Sequence, residues 1–416
     1  MSSHTPIQIK IEKDVLRDLV HYCQRHQFEK FMLVADQNTY LALGKRVEQA
    51  LSGQGMDVKT IILDGREEVV ADEAHLMQVF VQADMQDRIY LAAGSGTITD
   101  ITRFVSHRTK NQFISLPTAP SVDGFVSMGA PLVIGGLKQT VLCQPPVAAF
   151  ADLNTLTAAP KAMIAAGFGD MLGKYTSLAD WRIGRLLWDE RFSEPAAQRT
   201  WKALQDCVDV VEGIGQADAI SIGILTNSLL ESGLSMIEFG STVPASGSEH
   251  HLSHYWEMKL LREKRPAILH GAQVGAACVL VAGYYEKVRQ LTRQQVSERL
   301  ETAELKLAQE RENIRSVYPN IGDRLIEAHS AFLEQSQQTY DRLKERIVDS
   351  WSEVQGIASS VPTPQVLAKL IRKAGGAATP DQLGLCKDEV SEALRHAHYL
   401  RNRFTIIKLS HYLGLL

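Results

Sequence analysis

The sequence predicts an α/β N-terminal domain built on a parallel sheet, followed by an all-helical C-terminal domain. Three observations predict it. Short apolar runs alternate with amphipathic stretches as far as Asp152. After Pro160 almost every segment has helical periodicity, and the breaks between those later segments fall at Pro and Gly.

The strands come first. Phe31–Asp36 is a short apolar run ending in an acid, and Val58–Leu63, Arg88–Gly94 and Phe113–Thr118 repeat the pattern. Helical stretches, Thr39–Gly53 and Asp72–Gln86 among them, lie between these runs. Strands spaced by helices of roughly 10–15 residues indicate βαβ units. Val126–Leu142, with Gly129, Gly135 and Gly136 among β-branched residues, reads as a hairpin beside the sheet, and Val147–Asp152 as a closing strand. The expected helices follow at Ala162–Gly184, Glu194–Glu212, Ala217–Ser235, Ala267–Val288, Gln294–Val317, Asp323–Gly356, Thr363–Ala374 and Lys387–Leu415. The domain boundary is set at 158/159, giving domains 1–158 and 159–416. Residues 289–350, rich in Glu, Gln, Arg and Lys, read as a solvated helical pair.

Bulk composition narrows the function classes. The chain has 416 residues, 45% hydrophobic and 22% charged, with a formal net charge of −4. Nothing in that balance points to nucleic acid or to a membrane surface. No run reaches about 18 uninterrupted apolar residues, so no membrane insertion is expected. Met1–Glu12 has no apolar core before a small-residue cleavage site, so no signal peptide is expected. The five cysteines are scattered and form no CxxC pair. That usage fits structural thiols in a reducing cytoplasm.

The third strand runs into Gly94-Ser95-Gly96-Thr97-Ile98-Thr99-Asp100 and then into a helix. Glycines at a strand-to-helix turn let backbone N–H groups approach a pyrophosphate, and the helix N-terminus adds a favourable dipole. The third glycine of the full dinucleotide fingerprint is missing, and the same residues make an ordinary tight turn. Asp36, ending the first strand, is a candidate for ribose hydroxyls or simply a turn residue. A second polar loop, Thr118-Ala119-Pro120-Ser121-Val122-Asp123-Gly124, follows the fourth strand. Ligands of open α/β sheets sit outside the carboxyl ends of the strands, where these three segments converge.

Four of the thirteen histidines fall between positions 250 and 270: His250, His251, His254 and His270. On a helix, His250 and His254 share one face at i, i+4. Imidazole is the commonest ligand for Zn, Ni and Fe(II), and catalytic sites often use three protein ligands. Asp170, in Gly167-Phe-Gly169-Asp170-Met-Leu-Gly173-Lys174, sits on an apolar helix where a carboxylate is costly unless paired or ligating. Metal ligation by Asp170, His270 and one of the His250/His254 pair is one reading. A polar helix cluster, with Asp170 paired to Lys174, is the other.

Taken together, GSGTITD (94–100), LPTAPSVDGFVS (116–127), GFGDMLGKY (167–175), PASGSEHHLSH (244–254), LHGAQVG (269–275) and LRNRFT (400–405) resemble the iron-containing alcohol dehydrogenase superfamily, which shares its fold with dehydroquinate synthase. Within it they are most similar to sn-glycerol-1-phosphate dehydrogenases of the bacterial branch. The resemblance implies a Rossmann-like NAD(P)-binding domain and an all-α metal-binding domain. It implies that Asp170, His250 and His270 hold one divalent metal (Zn, Ni or Fe), with His254 and Asp123 at the substrate and Asp170 beside it. Gly94–Asp100, Thr118, Ala119, Pro120, Ser121 and Ser127 would contact NAD or NADP, with Asp36 near the ribose. It further implies reduction of dihydroxyacetone phosphate to sn-glycerol 1-phosphate by a homodimer or higher homo-oligomer. Lys138, Arg103, Lys174 and Arg265 are the basic candidates for the phosphate. The family's loop is usually GGG and here is GSG, and His251 stands where many members carry an apolar residue. A polyol dehydrogenase acting on an unphosphorylated substrate is the first alternative, and a dehydroquinate-synthase-like lyase the second.

Overall fold

The structure, a computed structural model, describes residues 7–64, 69–84, 86–135 and 137–416. Six strands form one parallel sheet: β1 (Gln8–Glu12), β2 (Lys30–Asp36), β3 (Asp57–Leu63), β4 (Ile89–Gly94), β5 (Phe113–Pro117) and β8 (Ala148–Asp152). Their spatial order is β1-β8-β5-β4-β2-β3, and every neighbouring pair is parallel. β6 (Gly129–Ile134) and β7 (Leu137–Leu142) form the expected hairpin as a separate antiparallel pair. Gly136, one of its three glycines, lies outside the described residues, as do residues 1–6 of the leader expectation. The helix expected over Asp72–Gln86 is present over Glu73–Phe80, and Met85 in that span is not described.

Continuous apolar runs form these strands because both sheet faces are covered. Along β2, Phe31, Leu33 and Ala35 join one buried cluster with Leu91, Ile114 and Phe150. The alternate residues Met32 and Val34 join another with Tyr90, Ala92, Phe113 and the hairpin residues Ala130 and Leu132. β1 went unforeseen. It is an edge strand of five residues, QIKIE, whose alternation is too short to stand out. Ile9 and Ile11 pack with Phe125, Val126, Ala149 and Leu230.

After Asp152 the described residues contain helices and no further strand. The long helical stretches are subdivided: Gly173 separates Lys161–Leu172 from Lys174–Trp188, and the 323–356 stretch is four helices. Contacts divide the chain into two compact units, Met1–Met171 with Lys202–Thr242 and Lys373–Gly376, and the remainder. The expected boundary at 158/159 falls inside the first unit. The reason is that the Ala219–Phe239 helix brings Leu230 under β1. This is the one described helix long and apolar enough to cross a membrane, and 61% of its apolar window is buried inside the fold.

Candidate active site

In the first unit the chain leaves β2 for β3 on one side and returns to β4 on the other. The strand order therefore reverses between β2 and β4, which is where open α/β sheets bind ligands. Asp36 ends β2, Gly94 ends β4, and Gly94 pairs with Pro117 at the end of β5. The Thr118 N–H donates to the Gly94 carbonyl at 3.2 Å. The structure thus gathers the three predicted strand ends along one edge. Ser95 precedes the Gly96–Arg108 helix in extended conformation and gives it no side-chain cap. The first-turn N–H groups of that helix are the donors an anion requires. A Cβ on Gly94 would lie 2.4 Å from the Ile98 side chain, so glycine lets the helix start this close to the strand. Asp36 accepts the Thr39 N–H at 2.8 Å and caps the turn that follows β2.

The loop after β5 is held from two sides. From one side, Arg103 is fully buried, salt-bridged to Asp100 at 2.7 Å, and donates to the carbonyls of Gly124, Phe125 and Gly129. Burial pushes the Asp100 carboxyl up to about 7 against the pull of Arg103. From the other side, Gly167 on the Lys161–Leu172 helix meets the Pro120 carbonyl so closely that a Cβ there would lie 1.7 Å from its oxygen. Asp170, one turn on and wholly buried, accepts the Asp123 N–H at 2.9 Å. The Asp123 carboxylate accepts the Ser232 hydroxyl at 2.8 Å. Ser127 Oγ donates to the Gly124 carbonyl, and Thr118, Ala119 and Ser121 are buried in the same loop.

In the second unit, Ser248–Arg262 and His270–Gln290 are neighbouring helices. His250, His254 and His270 gather there. Ring centroids are 5.3 Å apart for His250 and His270, 5.6 Å for His254 and His270, and 6.1 Å for His250 and His254. The Nδ1 of His250 lies 2.8 Å from Glu249, and that of His270 lies 2.9 Å from Glu257. With Nδ1 donating to a carboxylate, Nε2 carries the lone pair. Ligating atoms of His254, Glu257 and His270 also lie within 4.8 Å of one another. His251 is buried too, but burial and the neighbouring Arg403 and Arg401 hold its imidazole well below its usual range.

Residues 10–160 match the model of the iron-containing alcohol dehydrogenases. The chain is 38% identical over 404 residues to a glycerol-1-phosphate dehydrogenase [NAD(P)+] of Geobacillus thermodenitrificans, covering 96% of this chain and 91% of that one. It is 39% identical to the Bacillus subtilis enzyme of the same name, covering 97% and 92%. The chain belongs to the glycerol-1-phosphate dehydrogenase family.

Other solved structures share the fold of this glycerol-1-phosphate dehydrogenase family member. A probable glycerol dehydrogenase from Sinorhizobium meliloti superposes with a TM-score of 0.63 at 13% identity, covering 98% of this chain and 96% of that one. A sulfoacetaldehyde reductase from Bifidobacterium kashiwanohense, in complex with NAD+, gives 0.61 at 12% identity, covering 99% and 98%. Of the basic candidates for a phosphate, three are engaged elsewhere. Arg103 serves backbone carbonyls, as above. Lys174, fully buried, donates to the Ala245 carbonyl at 2.9 Å, and Arg265 is salt-bridged to Glu389 and Glu263. Sequence reasoning missed Glu249 and Glu257. Glu249 stood in plain view beside His250, but only the folded helix shows its carboxylate turned back onto that ring.

Proposed function

We propose that this chain catalyses metal-dependent, NAD(P)H-linked reduction of dihydroxyacetone phosphate to sn-glycerol 1-phosphate, and the reverse, in glycerophospholipid synthesis. The observation that carries this reading is the 38% identity over 96% of the chain to a glycerol-1-phosphate dehydrogenase. The local geometry supports it. An uncapped helix N-terminus at the sheet's switch point suits a dinucleotide pyrophosphate. Two imidazoles with Nδ1 turned to carboxylates, together with a buried carboxylate, are a donor set for Zn, Ni or Fe(II).

In this reading Asp170, His250 and His270 hold the metal. Gly94–Asp100, Thr118–Ser121 and Ser127 hold the dinucleotide, with Asp36 at its ribose. When bound, the metal supplies Lewis acidity at the ketone oxygen and the reduced nicotinamide supplies the hydride. The chain's own residues do the rest. Asp123, anchored by Ser232, orients a substrate hydroxyl. His254, stacked on His270, delivers the proton that the new alcohol oxygen needs. The protein acts in the cytoplasm as a homodimer or higher homo-oligomer.

A glycerol dehydrogenase shares the fold, but the solved example is 13% identical, which supports the fold alone. The deciding assay follows NADH and NADPH consumption with dihydroxyacetone phosphate and with dihydroxyacetone. The phosphorylated ketone should be preferred. Preference for the free ketone overturns the reading, and so does absence of net cofactor oxidation, which is the behaviour of a lyase.

A further inference from the structure

We propose that Glu249 and Glu257 are positioning residues for the two metal-binding imidazoles, one carboxylate behind each ring. This rests on the ligand set of the preceding section. The two pairs are built differently. Glu249 is fully buried and engaged at both oxygens: Oε1 accepts the Gly247 N–H at 2.6 Å and faces His250 Nδ1 at 2.8 Å, while Oε2 accepts the Thr176 hydroxyl at 2.7 Å. Beside it Asp180, also buried, accepts the Ser248 N–H at 2.7 Å and the Tyr285 hydroxyl at 2.6 Å. Two carboxylates therefore cap the start of the Ser248–Arg262 helix. Glu249 cannot follow the ring; the ring aligns to it.

Glu257 sits two turns further along the same helix, with its side chain 13% exposed. It reaches across to His270, the first residue of the next helix, at 2.9 Å. Ser253 Oγ, which donates to Gln273 at 3.1 Å, lies 3.3 Å from the same nitrogen. A carboxylate accepting from Nδ1–H fixes the tautomer, holds the ring plane and makes Nε2 a more basic ligand. Both imidazoles have this support, and it comes from one helix.

The test measures zinc affinity by competition with a chelator, on metal-free protein of full length. Glu257→Ala and Glu249→Ala should each weaken zinc binding by about 10- to 100-fold while one zinc per chain is still bound at saturation. Glu257→Gln, which keeps an acceptor at the ring, should recover part of the loss. The metal-free Glu257→Ala protein should melt with the wild type, separating positioning from structural support. With cobalt(II) in place of zinc, Glu257→Gln should keep the wild-type visible absorption band, because no ligand has changed. If Glu249→Ala does not fold, Glu257, which is less buried, carries the test. Wild-type zinc affinity in Glu257→Ala overturns this inference alone, as does loss of the bound zinc at saturation, which would make Glu257 a ligand. Wild-type affinity in Asp170→Ala overturns the ligand set and this inference together.

Discussion

The backbone N–H of Asp123 donates to the carboxylate of Asp170 at 2.9 Å, tying the loop after β5 to a fully buried acid on the Lys161–Leu172 helix. One bond thus joins the residue proposed to orient the substrate to one proposed to hold the metal. A carboxylate this buried is stable only when hydrogen-bonded, paired or ligating. We expect Asp170→Asn to lose bound metal by more than about tenfold and catalysis with it. Elemental analysis of the purified variant checks this, and wild-type metal content would refute the ligand set.

Gly167 sets how close that helix comes to the loop. In Gly167→Ala the new methyl would lie 1.7 Å from the Pro120 carbonyl oxygen, so backbone has to move. Overpacking of this kind costs about 1–3 kcal/mol. The displaced segment is Thr118–Ser121, so KM for the nicotinamide cofactor should rise while the variant still folds. Urea unfolding together with cofactor titration tests both parts.

Arg103 joins the first turns of the Gly96–Arg108 helix to the 124–129 segment through Asp100 and three carbonyls. Arg103→Met should destabilise by about 3–5 kcal/mol, because it leaves Asp100 and these carbonyls without their donor. Arg103→Lys should rescue little, since a single ammonium cannot span a fork of donors. The denaturant midpoints of the two variants measure it, and a midpoint for Arg103→Met equal to wild type would show that the clamp is dispensable.

A buried histidine gives the pH dependence. Burial, and next the charge of Lys408, lowers His329 from 6.5 to about 4, although the Leu325 and Arg401 carbonyls facing its ring pull the other way. The unfolded chain takes up this proton near 6.5 and the folded chain only near 4. Stability from His329 is therefore complete above about pH 6.5 and is lost as pH falls toward 4, at about 1.4 kcal/mol per pKa unit. Thermal melts at pH 7 and pH 5 should show a larger drop for wild type than for His329→Gln. Equal drops would exclude His329 as a source of the acid sensitivity.

Local pattern alone determined a good deal here. The apolar runs of β2, β3, β4, β5 and β8, the glycine hairpin and the helical remainder were legible because a buried parallel strand and an amphipathic helix have different periods. The Gly94–Asp100 turn and the clustered histidines were legible because their chemistry lies within a few residues. Folding decided what depends on distant partners. The edge strand β1 has too short a pattern to announce itself and exists because β8 and Leu230 meet it. The Ala219–Phe239 helix joined the first unit for the same reason. Arg103 read as a candidate for the phosphate and became a buried clamp, because carbonyls from residues 124–129 converge on it. Side-chain direction settled Glu249 and Glu257: spacing lists neighbours, but only packed helices determine which carboxylate faces which ring.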